Sequence, residues 1–350
     1  MHGAPWRRIQ TFGIENYGPI ENFCEKELPQ PSDLSPRDLL VRIKAVSVNP
    51  VDTKVRNGTY DDYPAADYYD HVPRPFQICG YDAAGVVEQT GPECFLCKAG
   101  DKVFYSGSPI RQGSNAEYQL VDERSVGHKP NTLDFAESAA MPLTYVTAYE
   151  ALVEQLEIKK GEKAALLIIN GAGGVGAVAS QIARTVLDLP YVITTASRPE
   201  TIEFTKQMGA THVVNHREDI PAQIAKLDLD VPLKYIFITS STDQYMSTCG
   251  KLCAPFGKVC SIVQGQANMH GTDFMSKSMS FIWCLIGTKP YHHADIESHH
   301  HILEELTRLI DAGQIKCHLG TRLELTLDGL KEAHNIIQSG KAKGKVVLEF

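Results

Sequence analysis

The stretch KAALLIINGAGGVGAVASQIARTVL, residues 163–187, decides the fold. Lys163–Asn170 is a short, unbroken apolar run bounded by glycine, the pattern of a strand buried on both faces. Val175, Val178, Ile182 and Val186 then recur at helical spacing. Between the two, Gly171-Ala172-Gly173-Gly174-Val175-Gly176 carries the G-x-G-x-x-G spacing. That spacing has meaning only after a strand and before a helix, which is its setting here. The first glycine permits the tight turn, the second lets backbone approach a pyrophosphate, and the third lets helix and strand pack closely. Gly174 and Val175 open the helix, whose N–H groups and partial positive charge suit phosphate.

Outward from this loop the alternation of strand and helix continues. Tyr191–Ala196 reads as the next strand, and Pro199–Met208 as a helix stopped by Gly209. His212–Asn215, Tyr235–Thr239 and Lys258–Val263 follow as strands. The fold class is therefore α/β, with a doubly wound parallel sheet. At the end of the second strand an NAD site usually places Asp or Glu for the ribose. This chain has Thr194-Thr195-Ala196-Ser197-Arg198 there. No carboxylate opposes a 2′-phosphate, and the forked donors of Arg198 suit one, with Glu200 close by. The expected cofactor is NADPH, and Ser197, Arg198, Val263 and Lys343 join the glycine loop as candidate cofactor residues.

The 350 residues suggest two domains. With 43% hydrophobic and 22% charged residues the composition is that of a globular protein. A net charge of −8 without a Lys/Arg run gives no reason to expect nucleic acid as a partner. No apolar run approaches the roughly 20 residues of a membrane span. The N-terminus lacks the apolar core of a signal peptide, and nine cysteines at irregular spacing read as reduced thiols. A cytoplasmic enzyme is the expectation, as a monomer or homodimer acting on a small molecule. The first 140 residues look β-rich, with alternation at Leu39–Val46, and Thr59–Pro75 reads as a long loop rich in Tyr, Asp and Pro. Cys94-Phe95-Leu96-Cys97 lacks a second pair, so plain loop cysteines are expected. His299-His300-His301 reads as a solvated helix end. Helices are expected around 302–310 and 330–338, and a last strand at Lys345–Phe350, returned to the N-terminal domain.

Several stretches together resemble the medium-chain dehydrogenase/reductase superfamily, over essentially the whole chain. They are Val48-Asn49-Pro50-Val51-Asp52-Thr53-Lys54, Gly80–Val87, Leu143–Ala151, the Gly171–Gly176 loop and Ser339–Glu349. Within it the chain is similar to the zinc-independent quinone oxidoreductase (zeta-crystallin-like) side, and to a branch labelled "zinc-type alcohol dehydrogenase-like". The resemblance implies a GroES-like β-barrel catalytic domain over 1–140 and 295–350, and a Rossmann-type domain over 141–294. It places Thr147 where relatives meet the nicotinamide, and Ser278–Gly287 in a strand region that many relatives use to dimerise.

The resemblance also maps the zinc ligands of the metal-dependent members. The first Cys falls at Asn49, the His at Tyr81 with Asp82 in place of a Glu, and the last Cys near Leu143. A catalytic zinc needs three protein ligands from Cys, His and carboxylate, so no metal is expected. Without a Lewis acid, reduction of a quinone or α,β-unsaturated carbonyl is the accessible chemistry, given hydrogen-bond donors for the substrate oxygen. Asn49, Lys54, Tyr60 and Tyr81 are the candidates. Each has a plainer role available: Asn49 pinning the turn before Pro50, Lys54 solvated or paired with Asp52, Tyr60 as an aromatic wall, Tyr81 as core. An enoyl reductase serving a polyketide pathway, a zinc alcohol dehydrogenase with other ligands, and a non-catalytic NADPH-binding protein stay open as alternatives.

Overall fold

The computed structural model describes residues 7–60 and 74–350. Most of the predicted loop Thr59–Pro75, residues 61–73, lies outside them. The chain divides into two compact units. Unit 1 holds residues 1–143, 287–313 and 317–350, and unit 2 holds 144–286 and 314–316.

The N-terminal part of unit 1 lays down β1 (Arg8–Ile14), β2 (Phe23–Pro29), β3 (Asp38–Val48), α1 (Pro50–Arg56), β4 (Gln77–Ile78), β5 (Asp82–Thr90), β6 (Lys102–Ser106), β7 (Tyr118–Asp122), β8 (Val126–His128) and α2 (Phe135–Ala139). Helix α3 (Pro142–Tyr149) leads into unit 2, with β9 (Ala165–Ile169), α4 (Gly174–Gln181), β10 (Tyr191–Thr195), α5 (Pro199–Gln207), β11 (His212–Val214), α6 (Ile220–Ala225), β12 (Leu233–Ile238), α7 (Thr242–Leu252), β13 (Lys258–Ser261) and β14 (Ser280–Trp283). The chain then returns to unit 1 through α8 (Thr288–His292), α9 (Glu297–Asp311), β15 (Leu319–Glu324), α10 (Leu327–Gln338) and β16 (Lys345–Glu349).

In unit 2 the six strands lie in the order β11-β10-β9-β12-β13-β14 and all pair in parallel. Counted from β9, that is the 3-2-1-4-5-6 order of a doubly wound nucleotide-binding sheet, as the sequence predicts. The five residues of β9 are all buried, which explains their unbroken apolar run. The order reverses between β9 and β12, so the crevice at their carboxyl ends is the expected ligand position. Gly171 begins there.

In unit 1 the main sheet runs β15-β16-β3-β5-β6-β8, with β7 also paired to β3. The last strand does return: Val346 pairs Val48 and Val347 pairs Ser47, antiparallel. Strand β5 lies on the other side of β3, with Asp82 opposite Ser47. Three segments far apart in sequence therefore meet at one level of the sheet.

The histidine tract is not a solvated helix end. His299 and His300 are buried, and His300 Nδ1 lies 2.6 Å from the Val126 carbonyl oxygen. The reason is close packing of α9 on β8. A Cβ at Gly127 would stand 2.5 Å from the Leu303 Cβ, so helix and strand touch through a glycine. His301, one residue on, is exposed. The Cys94–Cys97 turn is held by a buried carboxylate. The buried Glu123 carboxylate accepts N–H bonds from Phe95 (3.0 Å) and Leu96 (2.8 Å), and Arg37 pairs with it at 2.5 Å. All nine cysteines are free thiols.

Candidate active site

The site in unit 1 starts from the sequence Ser47-Val48-Asn49-Pro50-Val51-Asp52. Asn49 leaves β3 in an extended conformation (φ −122°, ψ 158°) and caps α1, while Pro50 opens the helix, where its missing N–H costs nothing. Three residues on, the Asp52 carboxylate turns back and accepts the Asn49 backbone N–H at 2.6 Å. This is the carboxylate half of a capping box, with Asp in the Glu position, and the Asp52 N–H in turn donates to the Asn49 carbonyl at 3.0 Å.

The Asn49 side chain points inward and is spoken for at both ends. Its Nδ2 donates to Asp82 Oδ2 at 2.8 Å, and its Oδ1 accepts from the Lys345 ammonium. Lys345 Nζ also lies 3.1 Å from Asp82 Oδ2 and donates to the Val48 carbonyl at 3.3 Å. Ser47 Oγ adds a donor to the same Asp82 oxygen at 2.8 Å, and the Leu143 N–H fills Oδ1 at 2.8 Å. Asp82 and Lys345 are buried with 0% and 4% of their side-chain surfaces exposed. A charge pair so deep survives only when its remaining hydrogen-bonding capacity is met, and here it is.

This arrangement corrects two readings. Asn49, at 1% exposure, is a girder between β3, β5 and β16 rather than a donor offered to substrate. Lys54 is not paired with Asp52, because Asp52 is fully buried and bound to Asn49. Lys54 is half-buried on α1, and desolvation lowers its pKa. Tyr60, in the turn after α1, and Tyr81, just before β5, are half-buried as well. Sequence reasoning missed Lys345 and Asp52. The signals were present: a lysine at the head of the buried run Lys-Val-Val-Leu, and Asp three residues after a cap residue.

Three further groups around this network are titratable. Burial pushes the Asp52 carboxyl up to about 7, against the Asn49 N–H and Lys345, which pull it down, and with Asp82, which adds to the rise. Burial, and then Lys345, hold His318 down to about 3. Burial, and then Arg56, do the same to His334, also about 3. Both histidines are neutral in the folded protein at neutral pH.

A zinc ion does not fit here. The three positions that would supply its ligands hold Asn49, Tyr81 and Leu143. An ammonium already bonds Asn49 and Asp82, and a second cation would meet it. Among the described residues no group of three His, Cys, Asp or Glu side chains could hold a metal.

The site in unit 2 is the glycine loop. Asn170 follows β9 at φ +64°, and α4 begins at Gly174 with Gly173 as its cap. A Cβ on Gly171 would stand 2.4 Å from the Thr194 Cβ, and one on Gly176 would stand 2.3 Å from the Asn170 carbonyl oxygen. Neither position admits a side chain, so β9, β10 and α4 close up. The N–H groups that open α4 are thereby left for an anion. These residues fit a dinucleotide. Ser197 is half-buried, and Arg198 Nε pairs with Glu200 at 3.1 Å. Thr147 is buried, and its hydroxyl has no partner among the described residues. Val263 is half-buried two residues beyond β13, and its carbonyl accepts from Thr242, whereas Lys343 is exposed.

The buried pair yields a prediction. Removing one partner leaves an uncompensated interior charge, which costs about 3–5 kcal/mol. Lys345→Met should therefore destabilise unit 1 by that amount in urea unfolding. Adding Asp82→Asn to it should recover part of the loss, because the orphaned charge goes too. Additive losses in this double-mutant cycle would show that the two charges do not interact.

Comparison with known proteins identifies the family of the chain. The alcohol dehydrogenase GroES-like domain family matches residues 35–142, and the zinc-binding dehydrogenase family matches residues 208–348. A zinc-type alcohol dehydrogenase-like protein of Staphylococcus epidermidis is 38% identical over 97% of both chains. Human quinone oxidoreductase is 31% identical over 98% of this chain and 97% of its own. A crystal structure from Rhizobium etli, described as a zinc-dependent alcohol dehydrogenase, superposes with a TM-score of 0.89 at 41% identity over 99% of both chains. Zinc stands in the names of the Staphylococcus epidermidis and Rhizobium etli proteins, and not in that of the human one, whereas the positions aligned with zinc ligands hold Asn49, Tyr81 and Leu143 in this chain. With a GroES-like unit carrying the Asn49–Lys345 network and a nucleotide-binding unit carrying the Gly171–Gly176 loop, the chain belongs to the medium-chain dehydrogenase/reductase superfamily of oxidoreductases.

Proposed function

We propose that this protein is an NADPH-dependent reductase that delivers hydride to a conjugated acceptor, a quinone or an α,β-unsaturated carbonyl, without catalytic zinc. The observation that carries this reading is the ammonium of Lys345, bonded to Asn49 and Asp82 where a metal-dependent relative would organise its ligands. An alcohol is oxidised through its alkoxide, and Asn49, Tyr81 and Leu143 do not offer the Cys, His or carboxylate ligands that a Lewis acid stabilising one would need. A conjugated acceptor needs less. Charge spreads to its oxygen as the new C–H bond forms, and hydrogen-bond donors with a proton source suffice.

NADPH, when bound, supplies the hydride. The Gly171–Gly176 loop and the start of α4 would hold its pyrophosphate, and Arg198 its 2′-phosphate, with Ser197 beside it. Thr147, Val263 and Lys343 complete the proposed cofactor residues. Three side chains of unit 1 are proposed as donors to the substrate oxygen. Tyr60 has a phenol hydroxyl, which can donate a hydrogen bond. Lys54 is an ammonium eased toward proton release by desolvation. Tyr81 is a second phenol, one residue before the buried Asp82.

Two substitutions test this. A charge-assisted contact between Arg198 and a 2′-phosphate contributes about 1.5–3 kcal/mol. Arg198→Ala should weaken NADPH binding at least about tenfold and leave NADH binding nearly unchanged, measured by fluorescence titration. Equal losses for both would remove Arg198 from phosphate recognition. Tyr60→Phe keeps the ring and loses the donor, so it should slow enone reduction by about 10²–10³ with little change in NADPH affinity. Quinone reduction should fall less, since its product can take a proton from water. Parental rates with an enone would pass the donor role to Lys54 or Tyr81.

A further inference from the structure

Asp52 is the one carboxyl of the buried network that has no cation of its own. It is 1% exposed. One of its oxygens accepts the Asn49 N–H at 2.6 Å, and the other has no hydrogen-bond partner among the described residues. The neighbouring carboxylate Asp82 is saturated, by Lys345, Asn49, Ser47 and the Leu143 N–H. One ammonium therefore serves two carboxyls, and its hydrogen bonds go to Asp82, Asn49 and the Val48 carbonyl. An ionised carboxylate with an unfilled oxygen in such a place costs far more than the neutral acid, which leaves one polar O–H rather than a charge to be accommodated.

We propose that Asp52 is a positioning residue whose carboxyl works uncharged. It fixes Asn49 and the first turn of α1 through a single hydrogen bond, and leaves Lys345 to Asp82. The functional part of this inference rests on the reductase reading. Asn49 is the joint of the Asp82–Lys345 network, and α1 carries Lys54 and leads to Tyr60. When Asp52 ionises, a second negative charge enters beside Asp82 with no second cation to meet it. The two carboxylates then compete for Lys345 and Asn49, and α1 loses its fixed setting.

The groups facing Asp52 are Lys345 on β16, Asp82 on β5 and Cys79 before it. On its own helix lie Lys54 and Arg56, with His334 of α10 beside Arg56. His318 precedes β15 and faces Lys345. Burial pushes the Cys79 thiol well above its ordinary value, and His318 and His334 titrate near 3. None of these three changes charge around neutrality, and Asp52, near 7, does.

The sign follows from proton binding. Between the ordinary 3.8 and about 7, folded Asp52 holds a proton that the unfolded chain has released. Raising the pH through that window therefore weakens the fold. The two histidines, neutral when folded and protonated when unfolded below their ordinary 6.5, work in the opposite direction. They are common to the parent and an Asp52→Asn variant, so they cancel in the comparison.

The test uses the full chain and three proteins: parent, Asp52→Asn and Asp52→Ala. Asn mimics the neutral acid and can still accept the Asn49 N–H, whereas Ala cannot. In urea unfolding, the equilibrium constant of the parent relative to Asp52→Asn should shift toward unfolding about tenfold per pH unit from about 4 to about 7, and be level outside that window. In turnover with NADPH and an enone, parent kcat/KM should fall above about pH 7, and Asp52→Asn should not show that fall. Asp52→Ala should lose kcat at every pH with NADPH affinity kept. A level unfolding comparison between pH 4 and 7 overturns the proposal, and so does a rate profile unchanged in Asp52→Asn. If no acceptor is reduced by the parent at any pH, the reductase reading fails, and the unfolding comparison still decides the state of Asp52.

Discussion

Unit 1 depends on one buried contact, the ammonium of Lys345 against Oδ2 of Asp82 at 3.1 Å. The lysine opens β16, five residues before the end of the chain, and the aspartate opens β5. Between them runs β3, which contributes Ser47, the Val48 carbonyl and Asn49 just beyond its end. Such a pair is expensive to desolvate. It is tolerable because each hydrogen-bonding position around Asp82 is occupied, down to the Leu143 backbone N–H. The same contact sets the chemistry. It places a fixed positive charge among the residues aligned with the zinc ligands of metal-dependent relatives, where a second cation would be repelled.

The fold of unit 2 was legible because its signals are local. A buried strand reads as an apolar run, a helix as a 3.6-residue period, and the link between them as glycines at fixed spacing. The strand order follows from that alternation and from the handedness of parallel crossovers. The return of β16 to β3 was legible only through resemblance, since nothing local in Lys345–Phe350 names its partner. The histidine tract misled for the reverse reason. His299 and His300 sit at a helix start, where solvent is the ordinary neighbour, yet Gly127 on a distant strand lets α9 press against β8.

The candidate site shows the same division. Its residue types were readable at Asn49, Tyr81 and Asp82, and their chemistry already argued against zinc. What Asn49 does was not readable, because an amide suits a substrate oxygen and a buried carboxylate equally well. Only the arrival of Lys345 from the far end of the chain settles that the amide is committed inside. Asp52 was hidden differently. In sequence it looks like an ordinary first-turn carboxylate, and its environment is made by β5 and β16, neither of which is near it in sequence. Arg198 is expected as a phosphate ligand by position alone, and its ion pair with Glu200 is the competitor that a 2′-phosphate would have to displace.

The central claim is that reduction proceeds here without a metal, on a frame held by Lys345. The most direct measurement combines elemental analysis of tag-free protein with NADPH oxidation against quinones and enones, before and after a strong chelator. The account predicts well under one zinc per chain and turnover that survives chelation. One tightly bound zinc per chain, lost together with activity, would contradict it.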